Sequence, residues 1–234
     1  MAVAAPSFAG FSPQAIQFLV DLAANNERSW FQPRKADYER LLKEPLEAFV
    51  AALGERLQAR RIPLKADPAR APFRIYRDVR FSKDKSPYKT NVAASFPWAE
   101  SPAGTAEDGP HGVGGYFHFS PGEIYVGGGM WHPEKPRLDR FRGLIVDDPR
   151  RVHAAIEDRE FVAHFGSING DRLRRVPNGL PADHPDAELL KLKDVTFGRR
   201  ISDDDALSPN LPDIVADDLA AGVPVMRLLA SLSG

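Results

Sequence analysis

Residues 116–126 leave few folds open to this chain. Tyr116-Phe117-His118-Phe119 and Ile124-Tyr125-Val126 flank a turn at Pro121-Gly122. Both runs alternate apolar with polar residues, the period of a half-buried strand, and the proline–glycine pair between them marks a hairpin. Phe117, Phe119, Ile124 and Val126 are therefore expected to face a core, with Tyr116, His118, Glu123 and Tyr125 on the opposite face. Gly127-Gly128-Gly129 follows at once, where a ligand or another backbone can come close.

Helices are expected on both sides of this hairpin. Ser12 followed by Pro13 is a helix start, since serine caps free amides and proline suits the first turn. Ile16, Leu19, Val20 and Ala23 then recur at helical spacing, and Asn25-Asn26 ends the run. A second pattern from Pro33 aligns Tyr38, Leu41, Leu42, Leu46, Phe49, Val50, Leu53 and Leu57, with Pro45 set to kink or divide it. Trp30 and Phe31 read as core anchors. Later helices are expected over 136–146, from Asp148-Pro149 onward, over 185–193, 211–221 and 224–232, with strands at 91–96 and 195–201. His153 and His164 are expected on helical surfaces. Asp183-His184 reads as a cap of the 185–193 helix rather than an oriented base, because adjacent side chains point apart. Residues 99–115 hold seven Gly or Pro and read as a flexible loop.

Charge gathers in one place. Residues 74–90 carry six cationic side chains (Arg74, Arg77, Arg80, Lys83, Lys85, Lys89) against Asp78 and Asp84, a local charge of +4 in a chain of net charge −1. Residues 73–81 alternate as a strand, with Ile75, Arg77, Val79 and Phe81 on one face, where Arg77 needs a carboxylate or a bound anion. Ser82–Pro87 then forms a basic turn. Arg74, Arg77, Arg80, Lys85, Tyr88 and Lys89 are the candidate ligand-binding residues, because guanidinium, ammonium and phenol groups suit carboxylate or phosphate oxygens. Asp78 and His118 are the candidate catalytic bases, and phosphoryl transfer or hydrolysis would suit cations that stabilise developing negative charge. Two alternatives stand beside this anion pocket. One is nucleic-acid binding, with Tyr76, Tyr88 or Trp98 stacking on bases. The other is a structural or protein-interaction domain in which Asp78 and Asp84 satisfy the arginines. An acidic segment (Asp203, Asp204, Asp205, Asp213, Asp217, Asp218) is read as solvated and helix-capping, with a sharper expectation that it packs near the basic stretch.

The pattern Arg74-x-x-Arg77-Asp78-x-Arg80-Phe81-x-x-Asp84-Lys85-x-x-Tyr88 resembles the signature of domain-of-unknown-function family 2461. Asn25-Asn26 followed by Trp30-Phe31, the glycines 127–129, and Pro177-x-Gly179 followed by Asp183-His184-Pro185 resemble the same family. The resemblance spans about Phe11 to Phe197. It implies a single cytoplasmic-type domain without an established activity, and so assigns no catalytic role.

Composition narrows the classes. A chain of 234 residues, 43% hydrophobic and 27% charged, is long enough to bury a sizeable core. The absence of cysteine excludes disulfides, thiolate chemistry and cysteine-ligated metal. No phosphate loop, dinucleotide turn, zinc helix or nucleophile elbow occurs, and the histidines do not fall at a metal spacing, so no metal site is expected. The first ten residues lack a secretory pattern and no apolar run reaches membrane length, so a cytoplasmic chain without a membrane partner is expected. The expected architecture is one α+β domain over residues 11–234 after a flexible tail at 1–10. In it an antiparallel or mixed sheet with the central hairpin is covered by N-terminal and C-terminal helices. A small anionic ligand or a nucleic acid is the candidate partner; the sequence sets neither a cofactor nor an oligomeric state.

Overall fold

Every strand of the sheet runs antiparallel to its neighbour. In the computed structural model, which describes residues 7–80, 83–100 and 112–232, β1 (Val92–Pro97), β2 (Val113–Ser120), β3 (Glu123–Met130) and β4 (Val195–Arg200) lie in that order. β2 and β3 form the expected hairpin, with Phe117 opposite Val126 and His118 opposite Tyr125. Gly122, at φ 75°, supplies the left-handed turn residue. β4 arrives after a helical excursion and pairs on the far side of β3, Gly127 meeting Gly198.

One face of this sheet is the core. Phe117, Phe119, Ile124, Val126 and Phe197 are buried there, each aromatic or aliphatic side chain contributing roughly 1.5–3 kcal/mol by leaving water. Phe49, from the helix Glu44–Ala59, packs on Phe117 with ring centroids 4.5 Å apart. The helices Leu211–Ala221 and Val223–Ala230 pack closely on the sheet over Gly115 and Gly128. A Cβ there would lie 2.7 Å from Leu219 and 3.2 Å from the Met226 sulfur. These are the covering helices the sequence led us to expect, and the domain is α+β.

Local chemistry sets the helix ends. The Ser12 hydroxyl accepts from the Ala15 amide at 3.2 Å and Pro13 opens the helix Pro13–Ala24. Pro45 does more than kink its helix: the turn before it, Glu39–Lys43, is a π-helix, the widened turn being one way a helix absorbs a missing amide. Phe8, within the stretch expected to be a loose tail, is buried and packs on Phe11 and Phe49 at 5.5 and 5.6 Å. Of the loop expected at 99–115, residues 101–111 lie outside the described residues, while 113–115 already belong to β2.

The expected strand at 73–81 is corrected. Only isolated bridges form, Pro72 with Ala94 and Tyr76 with Tyr88. Phe73 donates its amide to Ala93 at 2.8 Å, so the segment edges β1 there, and beyond Phe73 its bonds turn to residues 87–89 instead of the sheet. Two further bonds, Lys89 N–H to Ile75 O at 2.8 Å and Arg77 N–H to Pro87 O at 3.0 Å, hold the two arms of the basic turn together. Ile75 is buried but Arg77 is exposed, so Arg77 does not sit on an apolar face. Phe81 lies outside the described residues.

Candidate functional site

The basic turn satisfies most of its own charges. Arg77 bonds to Asp84, and Arg80 grips Asp78 through two nitrogens at 3.0 and 2.7 Å. Lys85 donates to the Val79 carbonyl at 2.9 Å. These pairs hold both acids down: Asp78 falls to about 2, chiefly through Arg80, and Asp84 to about 2, through Ser86 and then Arg77. A carboxyl that acidic is a poor general base near neutrality. Tyr88 is buried, stacked on Phe31 at 4.1 Å, its backbone clamped by both ends of the Asn26 amide at 3.0 and 3.1 Å. Arg74 acts electrostatically on both Asp78 and Lys89.

The sheet's other face is different. Among the described residues no helix side chain lines it, and it forms a cleft of about 460 Å³, within the range of roughly 300–1,000 Å³ usual for small-molecule sites. Its floor is made of small residues, among them Ala93, Ser95, Gly114 and Gly129. Phe73, Lys89, Asn91 and Tyr116 line one side, and Tyr125, Trp131 and Thr196 another. Lys89 lies over the Phe73 ring at 5.2 Å, and Phe73 lies 6.3 Å from the Tyr116 ring. Burial, then Arg74, lowers the Lys89 pKa. Trp131 is 57% exposed at the end of β3. The Tyr125 ring lies flat across β4: a Cβ on Gly198 would be 2.0 Å from its hydroxyl.

A chain of polar groups runs along β2 beside the cleft. Because alternate residues share a face, Tyr116, His118 and Ser120 line up. The Tyr116 hydroxyl is 3.0 Å from His118 Nδ1, which the Asn91 amide also approaches at 3.3 Å. His118 Nε2 is 3.0 Å from Ser120 Oγ, which donates to the Glu123 carbonyl at 3.0 Å. Burial lowers the His118 pKa against the opposing pull of Glu123, and raises Tyr116 and Tyr125, with Glu123 adding to both.

The description "conserved hypothetical protein (DUF2461)" matches residues 14–227, most of the chain. The chain belongs to the DUF2461 family. No curated protein and no solved structure matches it. In this DUF2461 domain, the six candidate ligand residues are therefore split: Lys89 alone lines the cleft, Arg77, Arg80 and Lys85 are engaged within the turn, Tyr88 is in the core, and Arg74 acts at a distance. His118 and Asp78 are not joined in one cluster. Sequence reasoning missed Ser120, Asn91 and Trp131; Tyr116-x-His118-x-Ser120 was the available signal for the first, at strand spacing.

Asp213, Asp217 and Asp218 of the acidic segment find their partners elsewhere than in the basic turn. Asp213 pairs with Arg56 and Arg60 at 3.0 and 3.2 Å, and Asp217 with Arg60. Asp218 is buried between Arg199 at 2.7 Å and His164 at 2.8 Å, so His164 is more than a surface residue. His153 bonds to Glu157 and Asp186, at 2.7 and 3.0 Å. The helix expected at 185–193 is only Ala187–Leu190, and His184 Nδ1 accepts from the Asp186 amide at 3.0 Å. Among the described residues no three His, Asp or Glu side chains gather as a metal would require, and no helix is long and apolar enough to cross a membrane.

Proposed function

We propose that the cleft on the outer face of the sheet binds a small organic anion, a carboxylate or phosphate carried on a flat or apolar body. The observation that supports this most is the convergence of Lys89, Asn91, Tyr116 and Tyr125 on a glycine-floored cleft of about 460 Å³. A half-buried ammonium in a cleft of mostly apolar lining costs desolvation that a bound anion offsets. Phe73 and Trp131 offer ring faces to the ligand body. In this reading Lys89 meets the anion, Arg74 strengthens the local field, and Arg77, Arg80, Lys85 and Tyr88 secure the turn that carries them.

The test is a calorimetric and thermal-shift titration with benzoate, phenyl phosphate and inorganic phosphate. Binding to the folded state raises the melting temperature. The aryl anions are expected to bind and inorganic phosphate to bind more weakly. Lys89→Ala should weaken the aryl anions by about tenfold or more, the worth of a charged hydrogen bond, while Arg80→Ala leaves them unchanged. Loss of binding in Arg80→Ala alone would move the site to the basic turn. A second reading draws on Tyr116 and Tyr125, which stand on the two central strands: single-stranded nucleic acid stacked on the sheet. Oligonucleotide binding that weakens steeply with salt, without binding of aryl anions, would favour it.

A further inference from the structure

We propose that Tyr116 is a base-activated nucleophile in this cleft, with His118 as its base and an ester of an organic anion as its substrate. The inference rests on the anion-binding reading for the orientation of that substrate. Ser120 sets the direction of the proton chain. Its single hydroxyl proton goes to the Glu123 carbonyl, so its oxygen accepts from His118 Nε2, 3.0 Å away. That fixes the neutral tautomer with hydrogen on Nε2 and the lone pair on Nδ1. The Tyr116 hydroxyl, 3.0 Å from Nδ1 and so nearer to its lone pair than the Asn91 amide nitrogen at 3.3 Å, then points its proton at the imidazole and keeps its oxygen lone pairs for the cleft that it lines.

Nucleophile, base and a group orienting the base thus stand in sequence, the arrangement that activates hydroxyl nucleophiles on unrelated folds. Burial favours the uncharged forms of both partners, so the pair rests as phenol and imidazole and the proton moves only as the oxygen attacks. In the reaction the Tyr116 oxygen bonds to the acyl carbon while its proton passes to His118 Nδ1. The bond from that carbon to the leaving oxygen breaks, and His118 returns the proton to that oxygen. Water then hydrolyses the aryl ester, releasing the acid and restoring the phenol. Lys89, on the Phe73 side of Tyr116, offers a cation to the ligand's negative charge.

The experiment uses two electrophiles, 4-(fluorosulfonyl)benzoate and the uncharged phenylmethanesulfonyl fluoride, with the full chain and readout by peptide mass spectrometry. Attack forms an oxygen–sulfur bond, expels fluoride and sends the phenol proton to His118. Tyr116 should be labelled ahead of Tyr38, Tyr88, Tyr125 and the exposed Tyr76. His118→Gln should slow this by about a hundredfold, the lower range of general-base catalysis, and Tyr116→Phe should abolish it. Ser120→Ala, which frees the tautomer but keeps the ring, should slow it by less; it is the check if His118→Gln does not fold. Labelling of Tyr76 first, or an unchanged Tyr116 rate in folded His118→Gln or Ser120→Ala, would overturn the proposal. Equal rates for the two reagents would instead contradict the anion reading and leave the nucleophile standing.

Discussion

The basic turn and the outer face of the sheet satisfy their polar groups in opposite ways. In the turn, Arg77 meets Asp84, Arg80 meets Asp78 and Lys85 meets a carbonyl, all in solvent, where ion pairs are screened and contribute little. On the sheet, Tyr116, His118 and Ser120 form a half-buried chain of uncharged groups that ends at a cleft. There the lower dielectric makes each hydrogen bond and each proton position count for more. Density of charge in a sequence therefore marks where ions are, whereas a usable site depends on which polar groups are left facing a concave, partly dry space.

The comparison is sharpest where backbone meets backbone. A Cβ on Gly127 would lie 2.2 Å from the Phe197 carbonyl oxygen, so Gly127→Val is expected to cost about 3 kcal/mol, at the upper end of overpacking, as read by urea denaturation. Arg80→Ala and Asp78→Asn should leave the same transition nearly unmoved. The turn does have one costly anchor, at its root: Asn26→Ala removes two hydrogen bonds to the Tyr88 backbone and should cost about 2 kcal/mol.

Gly198→Ala tests the cleft with less damage. Its methyl would occupy the place of the Tyr125 hydroxyl, so the ring must shift from its place in the wall of the cleft. Calorimetry should show benzoate binding weakened by about tenfold. The smallest effect concerns protons. His118 should titrate by NMR below the ordinary histidine value of 6.5 because of burial, and His153 above it because of Glu157 and then Asp186. For His118 the unfolded chain takes up its proton first as pH falls, so its contribution to stability is present above 6.5 and lost as pH drops through the folded value. For His153 the sign reverses: its contribution is present below 6.5 and lost as pH rises through the folded value.

What was legible in the chain was what neighbours in sequence decide. Alternation at 116–126 placed Phe117, Phe119, Ile124 and Val126 in the core and Tyr116, His118, Glu123 and Tyr125 opposite, and Ser12-Pro13 started its helix. Alternation misled at 73–81, because a strand needs a continuous partner, and beyond Phe73 the segment meets residues 87–89 and not β1. The acidic segment reads as solvated and helix-capping, and the sharper expectation that it packs near the basic stretch rests on charge alone, whereas packing sets Asp213 and Asp217 against Arg56 and Arg60. The cleft was the least legible part. Its lining combines β1, β2, β3 and β4, and β4 meets β3 only through pairing across a long stretch of intervening chain, information that no local pattern carries.

The most direct test of the central claim, that the working surface is the sheet face and not the basic turn, is an amide NMR titration of the full chain with benzoate. Shifts are expected to concentrate at Lys89, Gly114, Tyr116, Gly129 and Thr196, with Asp78, Arg80 and Asp84 unmoved. Shifts confined to residues 77–86, with the glycines of β2 and β3 silent, would contradict it.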